Sequence, residues 1–162
     1  MDKKLEQKIY KRYPEFFKHR DDMHASLMCF GMECRDGWYN LINNLCKDIH
    51  SYYMKHGGIP ESFYVTQIKE KWGSLRFYTS GAPEQVHKMI ADAEHKSFYI
   101  CEICGTQGEL FYRDELSWVQ TLCDECLDKL IREKYGYMRD KEEDFVSSWQ
   151  KKNKAPFKII KV

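Results

Sequence analysis

Residues Lys69 to Tyr78 read KEKWGSLRFY, with apolar and charged side chains alternating on either side of a Gly-Ser step. A period of two interrupted by glycine predicts two antiparallel strands joined by a two-residue turn. With Gly73-Ser74 in a type II′ turn, Trp72 pairs Leu75, Lys71 pairs Arg76, Glu70 pairs Phe77 and Lys69 pairs Tyr78. That register puts Ile68, Trp72, Leu75 and Phe77 on one face, with Glu70 the only misfit. Gln67, Lys69, Lys71, Arg76 and Tyr78 take the other face. The aromatic residues are then explained mostly by a core. The basic face is not, because Lys71 opposite Arg76 is a like-charge pair that destabilises a hairpin unless a negative group offsets it. Two readings follow. An internal carboxylate (Asp36, Glu33 or Glu84) clamps the face, or the face binds a phosphate-bearing ligand or an acidic partner. In the second case Arg76 is a bidentate fork, Lys69 and Lys71 are point charges, and Tyr78 is a stacking or hydroxyl contact. Trp38 completes this candidate ligand-binding set.

Outward from the hairpin, the pattern changes to a helical period. Trp38, Leu41, Ile42, Leu45, Cys46 and Ile49 recur at i, i+3, i+4 and i+7, which predicts a helix from Trp38 to about His56. Asp36 is its expected N-cap, and Gly57-Gly58 followed by Pro60 its stop. Phe63 to Ser80 is the strand pair. Pro83 opens a further helix with a stripe of Val86, Met89, Ile90 and Ala93. Near the N-terminus Leu5, Ile9, Tyr13, Phe16 and Phe17 fall at helical spacing, with Pro14 as a break or a second start. The expected class is α+β, with a core over 1–98, a cysteine module and exit helix over 99–135, and a C-terminal extension over 136–162. Its basic end, KKNKAPFKIIKV, reads as a tail or an edge strand. A parallel βαβ sheet is disfavoured, since one clear strand pair exists and its connection is too short for a crossover.

The chain has 162 residues, 43% hydrophobic, 31% charged and 15% aromatic, with a net charge of +1. That suits one domain with a modest core, and rules against disorder. The near-neutral charge predicts neither a nucleic-acid coat nor membrane attraction. The opening MDKKLEQKIYKRYPEFF carries no continuous apolar run, so a cytoplasmic chain with reduced thiols is expected. Seven cysteines in that setting point to a metal before disulfides, and the odd count agrees.

CEIC (Cys101 to Cys104) and CDEC (Cys123 to Cys126) are separated by eighteen residues. Each C-x2-C pair puts two thiolates on one tight turn, and two pairs complete a tetrahedron around one Zn2+ at about 2.3 Å per bond. Gly105 suits the knuckle turn. Free buried cysteines, and an iron–sulfur cluster on the same four thiolates, are the competing readings. Four sulfurs leave no open position for water, and no H-x-E motif occurs, so the ion is expected to be structural and not catalytic. Between Tyr99 and Leu130 seven acids (Glu102, Glu109, Asp114, Glu115, Asp124, Glu125 and Asp128) face two bases, Arg113 and Lys129. A zinc tetrathiolate adds negative charge, so this module repels phosphate backbones and suits protein contact better than nucleic acid.

Weaker candidates remain. His24, Cys29 and Cys34 are spaced five apart, and Cys46 with His50 sits at i, i+4, offering a second metal site against the plainer reading of core cysteines. Cys34 beside Arg35 is a candidate activated thiol, and with His24 and Asp36 it forms the best set for an enzyme reading. No P-loop, nucleophile elbow or paired-carboxylate motif is present, so no catalytic residue is assigned.

Three blocks together, MCFGMECRDGWYNLI (Met28 to Ile42), VTQIKEKWGSLRFY (Val65 to Tyr78) and CEICG with LCDEC, resemble a family of small uncharacterised proteins encoded in bacteriophages and prophages. The likeness covers about residues 20–126. By position it implies Gly37, Trp38, Lys69, Lys71, Gly73, Leu75, Arg76, Phe77, Tyr78, Cys101, Cys104, Gly105 and Cys123 as recurrent residues. Relatives tend to carry Gly-Asp-Gly-Trp and Lys-Phe-Gly where this chain has Arg35-Asp36-Gly37-Trp38 and Lys71-Trp72-Gly73. The fourth ligand varies among them; here it is Cys126. The resemblance implies an origin and a motif, and no activity. The leading functional expectation is a phage accessory zinc protein that binds a host protein, such as a defence or regulatory factor, in the bacterial cytoplasm. A binder of nucleotide or another phosphate-bearing ligand at the basic face comes second, and an enzyme third.

Overall fold

The structure, a computed structural model, describes residues 1–113, 118–135 and 157–159. Most of the expected C-terminal extension lies outside the described residues. Helix α1 (Lys3–Arg12) starts where the Asp2 carboxylate accepts the Lys4 N–H at 2.7 Å. It buries Glu6, Ile9 and Tyr10, and Pro14–Phe17 follows as a single 3-10 turn carrying the buried Phe16 and Phe17. Helix α2 (Tyr39–Lys55) is entered through a 3-10 turn, Asp36–Trp38, and buries Leu41, Ile42, Leu45, Cys46, Ile49 and Tyr53 along one stripe. Gly57 and Gly58, at φ of 99° and 100°, end it, and the Gly58 N–H closes on the Tyr53 carbonyl at 2.8 Å. Asp36 does not cap α2 as expected. Its carboxylate instead accepts the Asp2 N–H at 2.6 Å. Helix α3 (Glu84–Ser97) begins directly after Pro83 and buries Val86, Ile90 and Ala93.

Strands β1 (Tyr64–Lys71) and β2 (Ser74–Ser80) form the expected antiparallel hairpin, but the turn lies one residue earlier than the sequence predicts. Trp72 and Gly73 are its central residues, at φ of 56° and 76°, which is the type I′ pattern of two left-handed positions. Lys71 therefore pairs Ser74, Glu70 pairs Leu75, Lys69 pairs Arg76 and Ile68 pairs Phe77. Lys69, Lys71, Arg76 and Tyr78 still share one face, because moving the turn by one residue shifts each pairing by two, which preserves the alternation. Trp72 leaves the core and stands 64% exposed at the tip. A register shift between Val65 and Gln67 lets Val65 and Ile68 both point inward despite their odd spacing. Bulky side chains are strained in the left-handed region, so Trp72→Asn is expected to raise stability by about 0.5–1 kcal/mol, read from denaturant midpoints.

A two-stranded sheet has two free edges, and both are covered. On the β1 side, the Leu27 and Glu33 N–H groups donate to Thr66 and Ile68 carbonyls at 2.8 and 3.0 Å, and Glu70 N–H donates to Glu33 O at 2.9 Å. On the β2 side, Leu75 N–H donates to Ser97 Oγ at 2.8 Å and Phe77 N–H to Glu94 Oε1 at 3.0 Å, both on α3. One core, including Phe16, Trp38, Ile42, Phe63, Ile68, Leu75 and Val86, fills the space between the helices and the hairpin.

The cysteine module contains a second hairpin that the sequence reading missed, β3 (Glu109–Arg113) with β4 (Trp118–Leu122). Leu110-Phe111-Tyr112 is a continuous apolar run without alternation, which hid the strand. Helix α4 (Asp124–Tyr135) leaves from the second cysteine pair, and β5 (Phe157–Ile159) joins the outer edge of β3. The fold is α+β with a zinc-ribbon-like module. All strand pairing within the described sheets is antiparallel.

Candidate metal centre

Cys101 and Cys104 hang from the knuckle that precedes β3. Cys123 follows β4, and Cys126 lies in the first turn of α4. Their four sulfurs lie within 4.8 Å of one another, and the four residues are placed to hold a metal ion. Cys104 Sγ and Cys123 Sγ are 3.6 Å apart. A tetrahedron with Zn–S bonds of about 2.3 Å has edges of about 3.8 Å, so the donor set and its spacing fit zinc. The knuckle closes by Gly105 N–H to Cys101 O at 2.9 Å, with Gly105 at φ +80°. In the metal-free thiols, bonds from the Thr106 hydroxyl and backbone N–H bring Cys104 down to about 6, while burial first and the neighbouring sulfurs next push Cys126 up. Cys104 is the exposed ligand and Cys101 the buried one. The module's own apolar core is small: Cys101, Phe111 and Leu122, with Ile103, Leu127 and Leu130 around them.

The two glycine motifs of the sequence meet this module. Gly37 N–H donates to Glu102 O at 2.8 Å. A Cβ at Gly37 would lie 2.2 Å from Cys101 O and 2.6 Å from Gly105 N, so only glycine lets the turn approach the knuckle. Next to it, the fully buried Trp38 donates its indole N–H to Ile100 O at 2.9 Å. At the hairpin tip, Gly73 O accepts the Thr121 hydroxyl at 2.6 Å, and a Cβ there would meet Leu110 Cδ1 at 2.2 Å. Between the two contacts sits Glu102, only 3% exposed. Its Oε1 accepts the Arg35 N–H and its Oε2 the Gln120 amide, each at 3.0 Å. Sequence reasoning gave Glu102 no role beyond module charge. A carboxylate inside C-x2-C carries no signal of burial until the opposing turn is in place.

A cleft of about 720 Å³ opens beside this junction, lined by Glu33, Cys34, Arg35, Asp36, Glu70 and Glu102 among others. Its carboxylates already accept internal bonds: Glu33 from the Gln67 amide at 2.9 Å and Glu70 from the Gly73 N–H at 2.6 Å, besides the Asp36 and Glu102 bonds above. Partial burial first, and the nearby Glu102 charge after it, raise the Glu70 carboxyl above its ordinary value. Ionised Glu70 thus costs stability that is recovered when it is protonated. Glu70→Gln is expected to stabilise by a few tenths of a kcal/mol at neutral pH, discounted for solvent screening. The gain should grow as pH rises from the unfolded carboxylate value through the raised folded one, and vanish in acid. Paired urea melts across that range measure it.

Arg76 of the basic hairpin face is engaged internally, though not by the expected carboxylates. Arg76 Nη1 donates to Ser74 Oγ at 2.7 Å and Leu75 O at 2.8 Å, and lies 4.0 Å from Glu94 Oε2 on α3. Glu84 pairs Lys88 at 2.8 Å instead, and Asp36 and Glu33 hold the bonds given above. Lys69 Nζ leans the other way, 5.6 Å over the Tyr78 ring, so the two cations diverge. Trp38 is buried and does not join that face.

Among the described residues no second metal cluster assembles from His24, Cys29, Cys34, Cys46 or His50. Cys46 is fully buried, and burial pushes its thiol up. Burial also pushes the Cys34 thiol up to about 12, the opposite of activation. Among the described residues no helix is long and apolar enough to cross a membrane. No family model, curated protein or solved structure matches the chain.

Proposed function

We propose that this chain is a zinc-stabilised binding protein that acts on another protein. The observation that carries the reading is where its apolar surface lies. Seven large hydrophobic residues are exposed among the described ones, and five of them (Met23, Leu27, Phe30, Trp72 and Tyr78) lie on the 23–30 loop and the hairpin. Met23, Leu27 and Tyr78 line one groove, and exposed aromatic and apolar residues gathered in this way mark contact sites. The zinc is structural in this reading, since four thiolates complete its coordination and the knuckle carrying them is used to dock Gly37 and Trp38. The resemblance to phage and prophage proteins makes a host factor of defence or regulation, in the bacterial cytoplasm, the proposed partner.

A second reading keeps a phosphate-bearing ligand at Lys69, Lys71, Arg76 and Tyr78. It is favoured by Lys69 and Lys71 having no carboxylate partner among the described residues. Two measurements separate the readings. Immobilised full chain should retain a specific host protein that Leu27→Ser with Trp72→Ser releases. A nucleotide bound at a hundred times its Kd would add about 2.7 kcal/mol to stability, and no such shift is expected. Arg76→Ala should cost about 1 kcal/mol of stability through its lost contacts and leave partner retention unchanged. Nucleotide stabilisation abolished by Arg76→Ala would overturn the first reading for the second.

A further inference from the structure

A groove of about 390 Å³ runs along the outer face of the hairpin, between the loop residues Met23, His24 and Leu27 and the strand residues Gln67, Lys69 and Tyr78. Three of its walls are large apolar side chains left open, with Met23 64%, Leu27 43% and Tyr78 40% exposed. None of the residues lining it is acidic. Its one permanent charge is Lys69, held over the Tyr78 ring, and Lys71 stands exposed on the same strand face. The hairpin's edges offer little room for an added strand, because loop backbone covers β1 and α3 side chains cover β2. An occupant therefore enters through side chains, not by extending the sheet.

We infer that this groove is a docking site for a short acidic–apolar segment of a partner protein, one aliphatic or aromatic side chain seated between Leu27 and Tyr78 and a neighbouring carboxylate on Lys69. The inference rests on the protein-binding reading above and gives its site and chemistry. Charge complementarity selects the occupant: an open apolar slot with a cation at its rim and no carboxylate in its lining favours an anion attached to an apolar group.

The test is selection of an immobilised random dodecapeptide library with the full-length, zinc-loaded chain. Enriched peptides should carry Asp or Glu beside Leu, Ile, Phe or Trp, and should bind more weakly as salt rises. They should bind Lys69→Glu and Leu27→Asp at least about tenfold more weakly, and Lys8→Glu on α1 normally, with zinc content and melting retained in every variant. Tyr78→Thr supplies a second probe of the slot if Leu27→Asp fails to fold. Peptides without an acidic bias, unchanged binding to Lys69→Glu, or displacement by millimolar inorganic phosphate would each overturn the groove. Peptides whose binding depends on Trp72 instead would overturn the groove and leave the protein-binding reading standing. No enrichment at all would count against both.

Discussion

Removing the metal is expected to unfold the cysteine module and release its grip on the rest of the chain. A reducing preparation should contain about one zinc per chain by elemental analysis, and less than half an equivalent would refute the assignment. The energy at stake is large, because structural zinc sites contribute on the order of 10 kcal/mol of apparent binding free energy at neutral pH. Little else holds the module: its buried core is three residues, Cys101, Phe111 and Leu122. With chelator, amide protection should vanish over 99–113 and 118–130 and persist over Leu41–Tyr53 of α2, whose core lies on the other elements. The loss should not stop at the module's boundary. Trp38 would lose the acceptor of its indole N–H and Gly73 its bond from Thr121, so buried-tryptophan emission should shift to the red and the hairpin tip should open. Emission unchanged on complete zinc removal would show that the junction holds without its metal. Acid should act as chelator does, since the ligands bind as thiolates.

The second large effect is expected at Gly37. Alanine there would place a carbon 2.2 Å from Cys101 O and 2.6 Å from Glu102 O, both backbone atoms of the knuckle that cannot rotate aside. Either the turn backs away, breaking the Gly37 N–H bond to Glu102 O, or the knuckle distorts around its metal. Gly37→Ala is expected to cost about 3 kcal/mol or more, the upper end for overpacking, and to weaken zinc retention against a competing chelator. Gly73→Ala makes an informative comparison. Its nearest obstacle is the Leu110 Cδ1 methyl, a side-chain end that can rotate, but its φ of +76° adds strain, so a smaller loss without altered zinc retention is expected. Equal effects of the two substitutions on zinc retention would mean that Gly37 has no special relation to the knuckle.

Both motifs that looked chemical in the sequence, GW and KWG, thus prove to be places where one half of the molecule touches the other. The glycines permit backbone approach, and Trp38 and Glu102 supply the bonds across it. Arg76 turns to Ser74 and Glu94, and Lys69 to Tyr78.

What the sequence determined alone was whatever rests on near neighbours. The C-x2-C pairs set their sulfurs on tight turns, the i, i+3, i+4 stripe of α2 buries one side, and the alternation from Val65 to Tyr78 yields a hairpin with its cations on one face. What the tertiary structure decided was each choice between local alternatives of similar energy. Gly73-Ser74 and Trp72-Gly73 are both acceptable two-residue turns. The second prevails where Leu110, Val119 and Thr121 crowd the tip, because it sets the residue without a side chain against them and turns Trp72 outward. Glu94, eighteen residues from Arg76, answers the basic face because α3 packs along β2, while the expected Asp36 is taken by the Asp2 backbone. Glu102 is buried only because residues 35 and 120, far from it in the chain, arrive with donors for both oxygens. Such pairings depend on which segments meet, and no local period or spacing encodes that.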